Sequence, residues 1–529
     1  MNGFSRTACT YAAALGLAGP TSRLAAQGHD HEKIGAVHFA TSCAPAAGPQ
    51  FDRSVALLHS FEFGAAIAGF RSVLRTDSTC AMAYWGIALS RWTNPMAPGI
   101  RPRALLSSGQ EAAAAATRLS ASKTRRERDY AAAVATLYDD YEHRDQENRV
   151  DAYERAMADL VQREPADTEA KIFHAIALVA AARPTDKSYA NQLRAGATLE
   201  TLWKAQPDHP GLAHYIIHAY DVPALAPRAA DAARRYADIA PGAAHALHMP
   251  SHTFTRLGLW QSSIESNQRS AQAALRDSSI AEVLHASDYM EYAYLQLRRD
   301  RDAKVVLDGL PALALRFDPN AVTGAAPGSA GIFALAAIPA RYALERRAWD
   351  EAAALPPKTT TVAYADAVTW FARALGSIHV KEVGDAKTAI DSLGAMDARL
   401  ADQGETYWAE QVAIQRLDAE AWLALADGRR DAALSTMRAA ARREDATEKS
   451  AVTPGPLLPA RELLGDMLLE LKRPADARTE FERVLAKEPN RFRALDGARA
   501  AALAAGDRRA AAAYAARIKS VTGVDARNP

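Results

Sequence analysis

The chain has 529 residues, of which 49% are hydrophobic and 7% aromatic, and its alanine runs at 112–116 and 510–513 suit closely packed helices better than strands. Its 63 Lys and Arg residues nearly balance 62 Asp and Glu residues, giving a formal net charge of +1 with both signs interspersed. A protein that follows a phosphate backbone needs a basic surface, so we expect no nucleic-acid partner. No segment beyond the N-terminus is apolar over a stretch long enough to predict a membrane span.

The N-terminus has the pattern of an export signal. Arg6 precedes an apolar run over 8–19, and the segment 24–26 ends in Ala26, a small residue of the kind that a signal peptidase requires. We therefore predict a signal peptide over residues 1–26 and an exported mature protein, periplasmic or secreted. A short alanine-rich helix is the alternative interpretation of the same residues.

Cys43 and Cys80 are the two cysteines that remain in the predicted mature chain, because Cys9 lies within the signal. In an oxidising compartment, a disulfide between them would tie an N-terminal segment, 27–50, to the first helical hairpin and stabilise the fold by roughly 3 to 4 kcal/mol. Two buried free thiols in a cytosolic protein are the alternative. Neither cysteine belongs to a CxxC motif, which excludes a zinc ribbon and thioredoxin-like redox chemistry.

A helical-hairpin pattern recurs along the chain. A small residue is followed four positions later by an aromatic one at Ala66 and Phe70, at Ala477 and Phe481 (with Pro489 beyond), and at Ala510 and Tyr514. This pattern resembles the tetratricopeptide superfamily, in which the small residue lets two helices approach, the aromatic ring fills the gap to the next hairpin and the proline ends the second helix. The resemblance implies an all-α fold, a right-handed superhelical solenoid of roughly eight to ten stacked helical hairpins with essentially no β-structure.

Two clusters of Pro and Gly, at 318–328 and 451–459, interrupt the helical pattern. We therefore predict three parts after the N-terminal segment: an N-terminal solenoid over 51–318, middle helical repeats over 319–450 and C-terminal hairpins over 451–529. Ser263 and Ala303 hold equivalent positions in consecutive hairpins, but they are 40 residues apart (303 − 263) rather than 34. This step predicts a six-residue insertion in one turn.

Two histidine pairs repeat with the period of one tetratricopeptide hairpin. His214 and His218 are four residues apart, His248 and His252 are four apart, and the second pair follows the first by 34 residues (248 − 214). With Gly258 at a hairpin turn, the helices that carry the two pairs begin near residues 210 and 244. We therefore predict that four imidazoles meet across two neighbouring helices.

The tetratricopeptide resemblance implies that positions 2, 5 and 9 of the first helix of each hairpin line a concave groove. Pro250 complicates this register, because it either starts its helix, leaving the preceding histidines on an entry loop, or kinks a longer helix. Side chains at the groove positions are the candidate ligand-binding residues, namely His174, His214, His218, His245, His248, His252, His285, Asp288 and Tyr292.

Clustered imidazoles favour metal binding, and zinc, copper and iron all suit them. The candidate metal ligands are His214, His218, His248 and His252, with Asp288, His245 or His285 as additional ligands and Tyr292 and Asp221 as hydrogen-bonding partners. Three histidines with an open position could activate water, and copper or iron could bind oxygen, so a metal-dependent hydrolase or oxidoreductase is one alternative. A hydrogen-bonded polar groove without metal and a pH switch are structural alternatives.

The segments 80–89, 209–221 and 246–260 are also similar to a group of exported bacterial tetratricopeptide proteins, over about residues 38–310. This resemblance implies export and a solenoid, and it assigns no catalytic residue. We predict an exported scaffold or receptor with a histidine-rich site for a small molecule or metal in its groove. The other class of function is an interaction module that binds a protein or an extended peptide in the groove.

Overall fold

A computed structural model of the chain describes residues 33–523, and these residues form helices and loops without a β-strand. The α-helices are α1 Gly48–His59, α2 Phe63–Thr76, α3 Ala81–Trp92, α4 Arg103–Ser120, α5 Arg125–Thr136, α6 Gln146–Arg163, α7 Thr168–Ala180, α8 Ala190–Ala205, α9 Pro210–Ala219, α10 Ala230–Ile239, α11 Ala244–His248, α12 Pro250–Arg256, α13 Trp260–Arg276, α14 Ile280–Gln296, α15 Asp300–Ala314, α16 Gly328–Glu345, α17 Trp349–Ala353, α18 Ala363–His379, α19 Val383–Asp402, α20 Thr406–Ala426, α21 Arg430–Asp445, α22 Ala460–Glu470, α23 Pro474–Lys487, α24 Phe492–Ala504 and α25 Arg508–Thr522.

Consecutive helices pack as antiparallel hairpins, so the chain has the all-α, tetratricopeptide-like fold that the sequence predicted. Because α11 and α12 are two parts of one interrupted helix, the 25 segments of the described residues make twelve pairs, more than the eight to ten expected. The predicted packing of small against aromatic residues is present. A Cβ atom added to Gly465 or Gly497 would lie 2.7 or 2.4 Å from the Phe481 ring, which therefore fills the space between α22 and α24.

The longer step between Ser263 and Ala303 has a different cause from the one predicted. Helices α13 and α14 each have 17 residues, and the segments 277–279 and 297–299 that follow them are short. The additional residues therefore lengthen the helices, and the prediction of an insertion in a turn is wrong. The longer α14 is buried along its whole length, which places it at the centre of the packing.

The N-terminal segment is fixed to the first hairpins. Cys43 and Cys80 form the predicted disulfide, with their Cα atoms 4.9 Å apart. Nearby, the ring of Phe39 packs against Trp85 and Tyr130, with centroid distances of 5.3 and 5.2 Å. The predicted signal peptide, 1–26, lies outside the described residues.

Both predicted internal boundaries fall in loops, between α15 and α16 and between α21 and α22. The second loop, residues 446–459, is here called the capping loop. It lies against α14 and α16, since the Tyr289 hydroxyl donates to the carbonyl oxygens of Ala451 and Thr453, both at 3.2 Å, and Arg341 donates to that of Pro456 at 3.2 Å. Among the helices of residues 33–523, none has the length and hydropathy that crossing a lipid bilayer requires.

Candidate metal-binding site

Six histidines from four helical segments lie together beneath the capping loop. Helices α9 and α11 begin at Pro210 and Ala244, so they have the register that the 34-residue period predicted. Each of these six residues is at most 6% exposed. They are His214 and His218 on α9, His245 and His248 on α11, His252 on α12 and His285 on α14.

The structure combines the two alternatives for Pro250. Helix α12 begins at this proline, but His245 and His248 lie on α11, a helix, and not on an entry loop. Met249 joins the two segments in a helical conformation (φ −53°, ψ −35°), and its N–H donates to the carbonyl oxygen of His245 at 2.9 Å. Proline has no N–H to continue this ladder, so the helix breaks at Pro250.

The first triad consists of His214, His218 and His245, which each offer one nitrogen within 4.8 Å of the other two. The Nδ1 atom of His214 donates to the carbonyl oxygen of His59 at 2.6 Å, and that of His245 donates to the Glu282 carboxylate at 2.9 Å. Because both partners are acceptors, the proton lies on Nδ1 and Nε2 carries a lone pair. The Nε2 atoms of all three histidines are buried and have no hydrogen-bond partner.

The surroundings of His214 and His218 favour neutral imidazoles. Burial lowers the pKa of His214 and of His218 well below the usual value, and repulsion from neighbouring histidines lowers both further. Burial is the largest single effect and would raise the pKa of Glu282. The hydrogen bond and electrostatic effect of His245, the electrostatic effect of His285 and the N–H of Ala326 together outweigh burial, so the pKa is lowered and the carboxylate stays ionised. Neutral imidazole is the form that binds a metal ion.

Phe61 forms an apolar wall against the first triad. Its ring centroid lies 4.4 Å from that of His214 and 5.7 Å from those of His218 and His245. The residue has a φ of 57°, a left-handed conformation that is strained for a bulky side chain. The same conformation recurs at the turns after α13, α14 and α22, at Ser278, Arg298 and Lys472, so it belongs to the hairpin turn.

The second triad consists of His248, His252 and His285, whose candidate ligand nitrogens also lie within 4.8 Å of one another. His248 Nδ1 is 2.6 Å from Asn267 Oδ1, and the amide nitrogen of Asn267 donates to the Ser263 carbonyl oxygen at 2.8 Å. The oxygen of Asn267 therefore faces His248 and accepts from it. His252 Nδ1 donates to the Asp221 carboxylate at 3.0 Å.

The Nε2 atoms of His248 and His252 face each other at 3.0 Å. Both rings donate through Nδ1, so in their neutral forms two lone pairs point at each other. Burial lowers the pKa of both imidazoles, and for His248 the neighbouring histidines lower it further. A proton on one ring, or a metal ion bound by both, relieves this repulsion.

A third group, His59, Glu169 and His209, has the composition of a metal site but different bonding. The two oxygens of Glu169 accept from Nε2 of His59 and from Nε2 of His209, each at 2.9 Å. Burial would raise the pKa of Glu169, but the two histidines outweigh it and lower the pKa to about 2. The two Nε2 atoms that face Glu169 are already satisfied, so this group is a hydrogen-bonded network that holds α1 against α7 and α9.

Several predicted residues lie elsewhere. His174 pairs with Glu154 at 3.0 Å, and Asp288 pairs with Arg341 at 3.3 Å. The Tyr292 hydroxyl donates to Glu488 at 3.1 Å and accepts from Arg491 at 3.0 Å. The four predicted metal ligands are divided between the triads, since His214 and His218 meet His245 whereas His248 and His252 meet His285.

Sequence reasoning missed Glu282, Asn267 and Lys449, which support the site from other parts of the chain. Lys449, on the capping loop, lies 3.4 Å from Asp221 Oδ2. Burial lowers its pKa to about 8, although the attraction of Asp221 opposes the shift. A lysine 228 residues from its partner carries no local sequence signal, so the pairing follows only from the fold.

A narrow cleft of about 10 Å³, with room for about one water molecule, reaches both triads. It touches His245 of the first triad and His285 of the second, and Asn94, Ala97 and Val452 form part of its walls. Most of the lining is apolar, and the space admits a ligand of about the size of one water molecule to the histidines.

No family model matches this chain, and no curated protein matches its sequence. The solved structures that it resembles include yeast Tom70, at 12% identity and a TM-score of 0.37, over 88% of this chain and 96% of that one. They also include a human IFIT1 dimer with m7Gppp-AAAA, at 12% identity and a TM-score of 0.36, over 84% of this chain and 90% of that one. We draw no conclusion about function from similarities of this size.

Proposed function

We propose that this chain is a helical-repeat scaffold that binds a transition-metal ion through the Nε2 atoms of His214, His218 and His245. The observation that carries the proposal is that all three atoms are buried together without a hydrogen-bond partner. Leaving a buried acceptor unsatisfied costs about 1 to 3 kcal/mol, and here three such costs coincide. A single divalent cation would satisfy all three lone pairs.

The partners of the two Nδ1 atoms support this proposal. Histidines that bind metals donate their other ring N–H to a carboxylate or a backbone carbonyl, which fixes the tautomer and makes the ligand more basic. His245 does so with Glu282, and His214 does so with the carbonyl of His59. In a purely hydrogen-bonded polar cluster a buried imidazole uses both of its nitrogens, as His59 does with Tyr215 and Glu169.

Three neutral imidazoles suit zinc, copper or iron, and they leave one coordination position open. An open position is the feature that separates catalytic from structural three-histidine zinc sites. The cleft that reaches His245 gives a ligand of about the size of one water molecule access to it. This access favours a metal-dependent hydrolase or oxidoreductase as the second candidate function.

The burial of the histidines supports a small ligand over an extended peptide at this position. The capping loop covers the site, and each of the six histidines is at most 6% exposed. An extended peptide in a solenoid groove needs exposed residues to contact along its whole length. We therefore assign the histidines to metal binding and not to peptide recognition.

We further propose that the protein is exported and works in an oxidising compartment. The Cys43–Cys80 disulfide and the signal-like sequence of residues 1–26 support this location. Intact-mass measurement of the chain from an export-competent bacterial host tests it. Loss of residues 1–26 and of two thiol hydrogens is the expected result, and a full-length chain with reduced cysteines would contradict it.

Elemental analysis of purified protein without an affinity tag tests the metal proposal. A triple variant, His214→Ala/His218→Ala/His245→Ala, should lose one equivalent of metal relative to the parent while circular dichroism shows that it stays helical. The matched control changes His38 and His143, whose side chains are 86% and 77% exposed, and it should keep its metal. A parent that contains no metal and takes up neither zinc, copper nor iron would overturn the proposal.

A further inference from the structure

We propose that His248, His252 and His285 bind a second metal ion beside the first, and that the two ions share one small anionic ligand such as hydroxide. The second ion is inferred from its own triad. The shared ligand rests on the proposed function of the first triad as well.

The bonding of His248 and His252 favours a cation between their Nε2 atoms. Each ring donates its Nδ1 proton to an oxygen that can only accept in this arrangement, the amide oxygen of Asn267 and the carboxylate of Asp221. Their Nε2 lone pairs are then directed at each other across 3.0 Å. Two imidazoles bound to one tetrahedral ion, with metal–nitrogen distances of about 2.0 to 2.1 Å, place their nitrogens at a similar separation.

His285 supplies the third nitrogen of the second site. Its Nδ1 atom is buried and has no hydrogen-bond partner, and its ring centroid lies 4.5 Å from that of His248. The residue sits on α14, where it faces the end of α11. The second triad therefore has the same three-imidazole composition as the first and an unsatisfied nitrogen of its own.

The two triads are direct neighbours, and ring distances between them fall within the range of 4.5 to 6.4 Å found inside the triads. The ring centroids of His245 and His248, which belong to different triads, are 5.7 Å apart, and those of His218 and His252 are 6.1 Å apart. Within the triads, the His218–His245 and His252–His285 distances are both 6.4 Å. Two ions held by rings in this arrangement lie close enough to share a ligand, as in two-metal sites.

Charge favours an anion as the shared ligand. The six imidazoles are neutral ligands, so two divalent ions would add about four positive charges to a buried site. Glu282 and Asp221 supply two negative charges nearby, but Lys449 and Arg256 already pair with Asp221. Each three-histidine site leaves an open position, and the cleft touches His245 from one triad and His285 from the other. Its volume of about 10 Å³ restricts the bridging ligand to one of about the size of a water molecule.

Copper loading of the full chain tests this proposal. The parent should bind two equivalents of Cu(II), and each triple variant, in the first triad or in His248/His252/His285, should bind one. Two adjacent Cu(II) ions that share a hydroxide couple their spins, so the loaded parent should have a greatly weakened electron paramagnetic resonance signal. Each triple variant should show the full signal of one isolated Cu(II).

Each contrary result has a distinct meaning. A parent that binds one equivalent, lost only in the first-triad variant, would overturn the second site and leave the proposed function intact. One equivalent lost only in the second-triad variant would overturn the proposed function instead. Two equivalents with the signals of two isolated ions would overturn the shared ligand.

The single variant His285→Ala protects the test against misfolding. The side chain of His285 makes no hydrogen bond among the described residues, so removing the ring breaks none. It should weaken binding of the second equivalent at least tenfold and leave the first unchanged. Unchanged affinity for both equivalents would overturn the assignment of His285 as a ligand.

Discussion

The Nδ1 atom of His214 donates to the backbone carbonyl oxygen of His59 at 2.6 Å, across 155 residues of sequence. The same His59 donates from its side chain to Glu169, which also binds His209. The network around Glu169 therefore holds the backbone of His59 in place, and the carbonyl oxygen of His59 in turn sets the tautomer of His214. It positions the first triad without being a metal site itself.

The variant His209→Ala distinguishes a structural role of the Glu169 network from metal binding. His209→Ala deletes a charge-assisted hydrogen bond to the buried Glu169, so the free energy of unfolding should fall by about 2 to 3 kcal/mol. Metal content should not change, because His59 still holds Glu169. Urea unfolding and elemental analysis measure the two quantities, with the exposed-site variant His143→Ala as control. A loss of metal without a loss of stability would place an ion at His59, Glu169 and His209.

The second prediction concerns the hydrogen bond from His245 to Glu282. Glu282→Gln keeps an acceptor for His245 but removes its charge, and loss of such a partner weakens metal binding by about 10- to 100-fold. The number of ions bound at saturation should stay the same. Competition with a chelator of known affinity measures the change, and Glu265→Gln, at an exposed position on α13, is the control. Equal affinities in the two variants would show that Glu282 does not support a ligand.

The arrangement of the site shows how far the sequence alone can lead. The 34-residue period located His214, His218, His248 and His252, and the helical register added His245 and His285. The division into two triads could not be predicted, because it depends on the break at Pro250 and on the approach of α14. Asp288 and Tyr292 share a face of α14 with His285, yet Arg341 and Arg491 draw them into a separate ion network.

The supporting residues had no signal of their own. Glu282, Asn267 and Lys449 reach the histidines from α14, α13 and the capping loop. A repeat pattern specifies which helices are neighbours along the chain, and it does so correctly here. It does not specify which polar side chains complete a buried site, nor that a Pro- and Gly-rich segment covers it.

The disulfide gives the third prediction. Replacing both Cys43 and Cys80 by serine releases a loop with a sequence separation of 37 residues, which should lower the free energy of unfolding by about 4 kcal/mol. Because the bridge lies outside both triads, metal affinity should remain at the parental value. Urea denaturation of the parent with and without reductant provides the matched comparison. If reduction leaves the unfolding midpoint unchanged, the bridge is not formed in solution.

His379 gives a pH dependence that is independent of the metal. Burial lowers its pKa to about 4, and its ring stacks on Trp349 with centroids 4.0 Å apart. Between pH 6.5 and about 4 the unfolded chain therefore binds a proton that the folded chain does not, so acidification lowers stability by at most about 1.4 kcal/mol per pH unit from this group.

The variant His379→Gln removes that proton from both states. Its free energy of unfolding should fall less steeply than that of the parent as the pH decreases from 6.5 to 4.5, in urea titrations at fixed ionic strength. Parallel curves for the two proteins would mean that His379 titrates normally in the folded state.

The most direct test of the central claim is an anomalous difference map from crystals of the zinc-loaded protein, recorded on both sides of the zinc absorption edge. The account predicts a peak about 2.0 to 2.1 Å from the Nε2 atoms of His214, His218 and His245. A map with no peak within bonding distance of these three atoms would contradict it, whether or not zinc is bound elsewhere in the crystal.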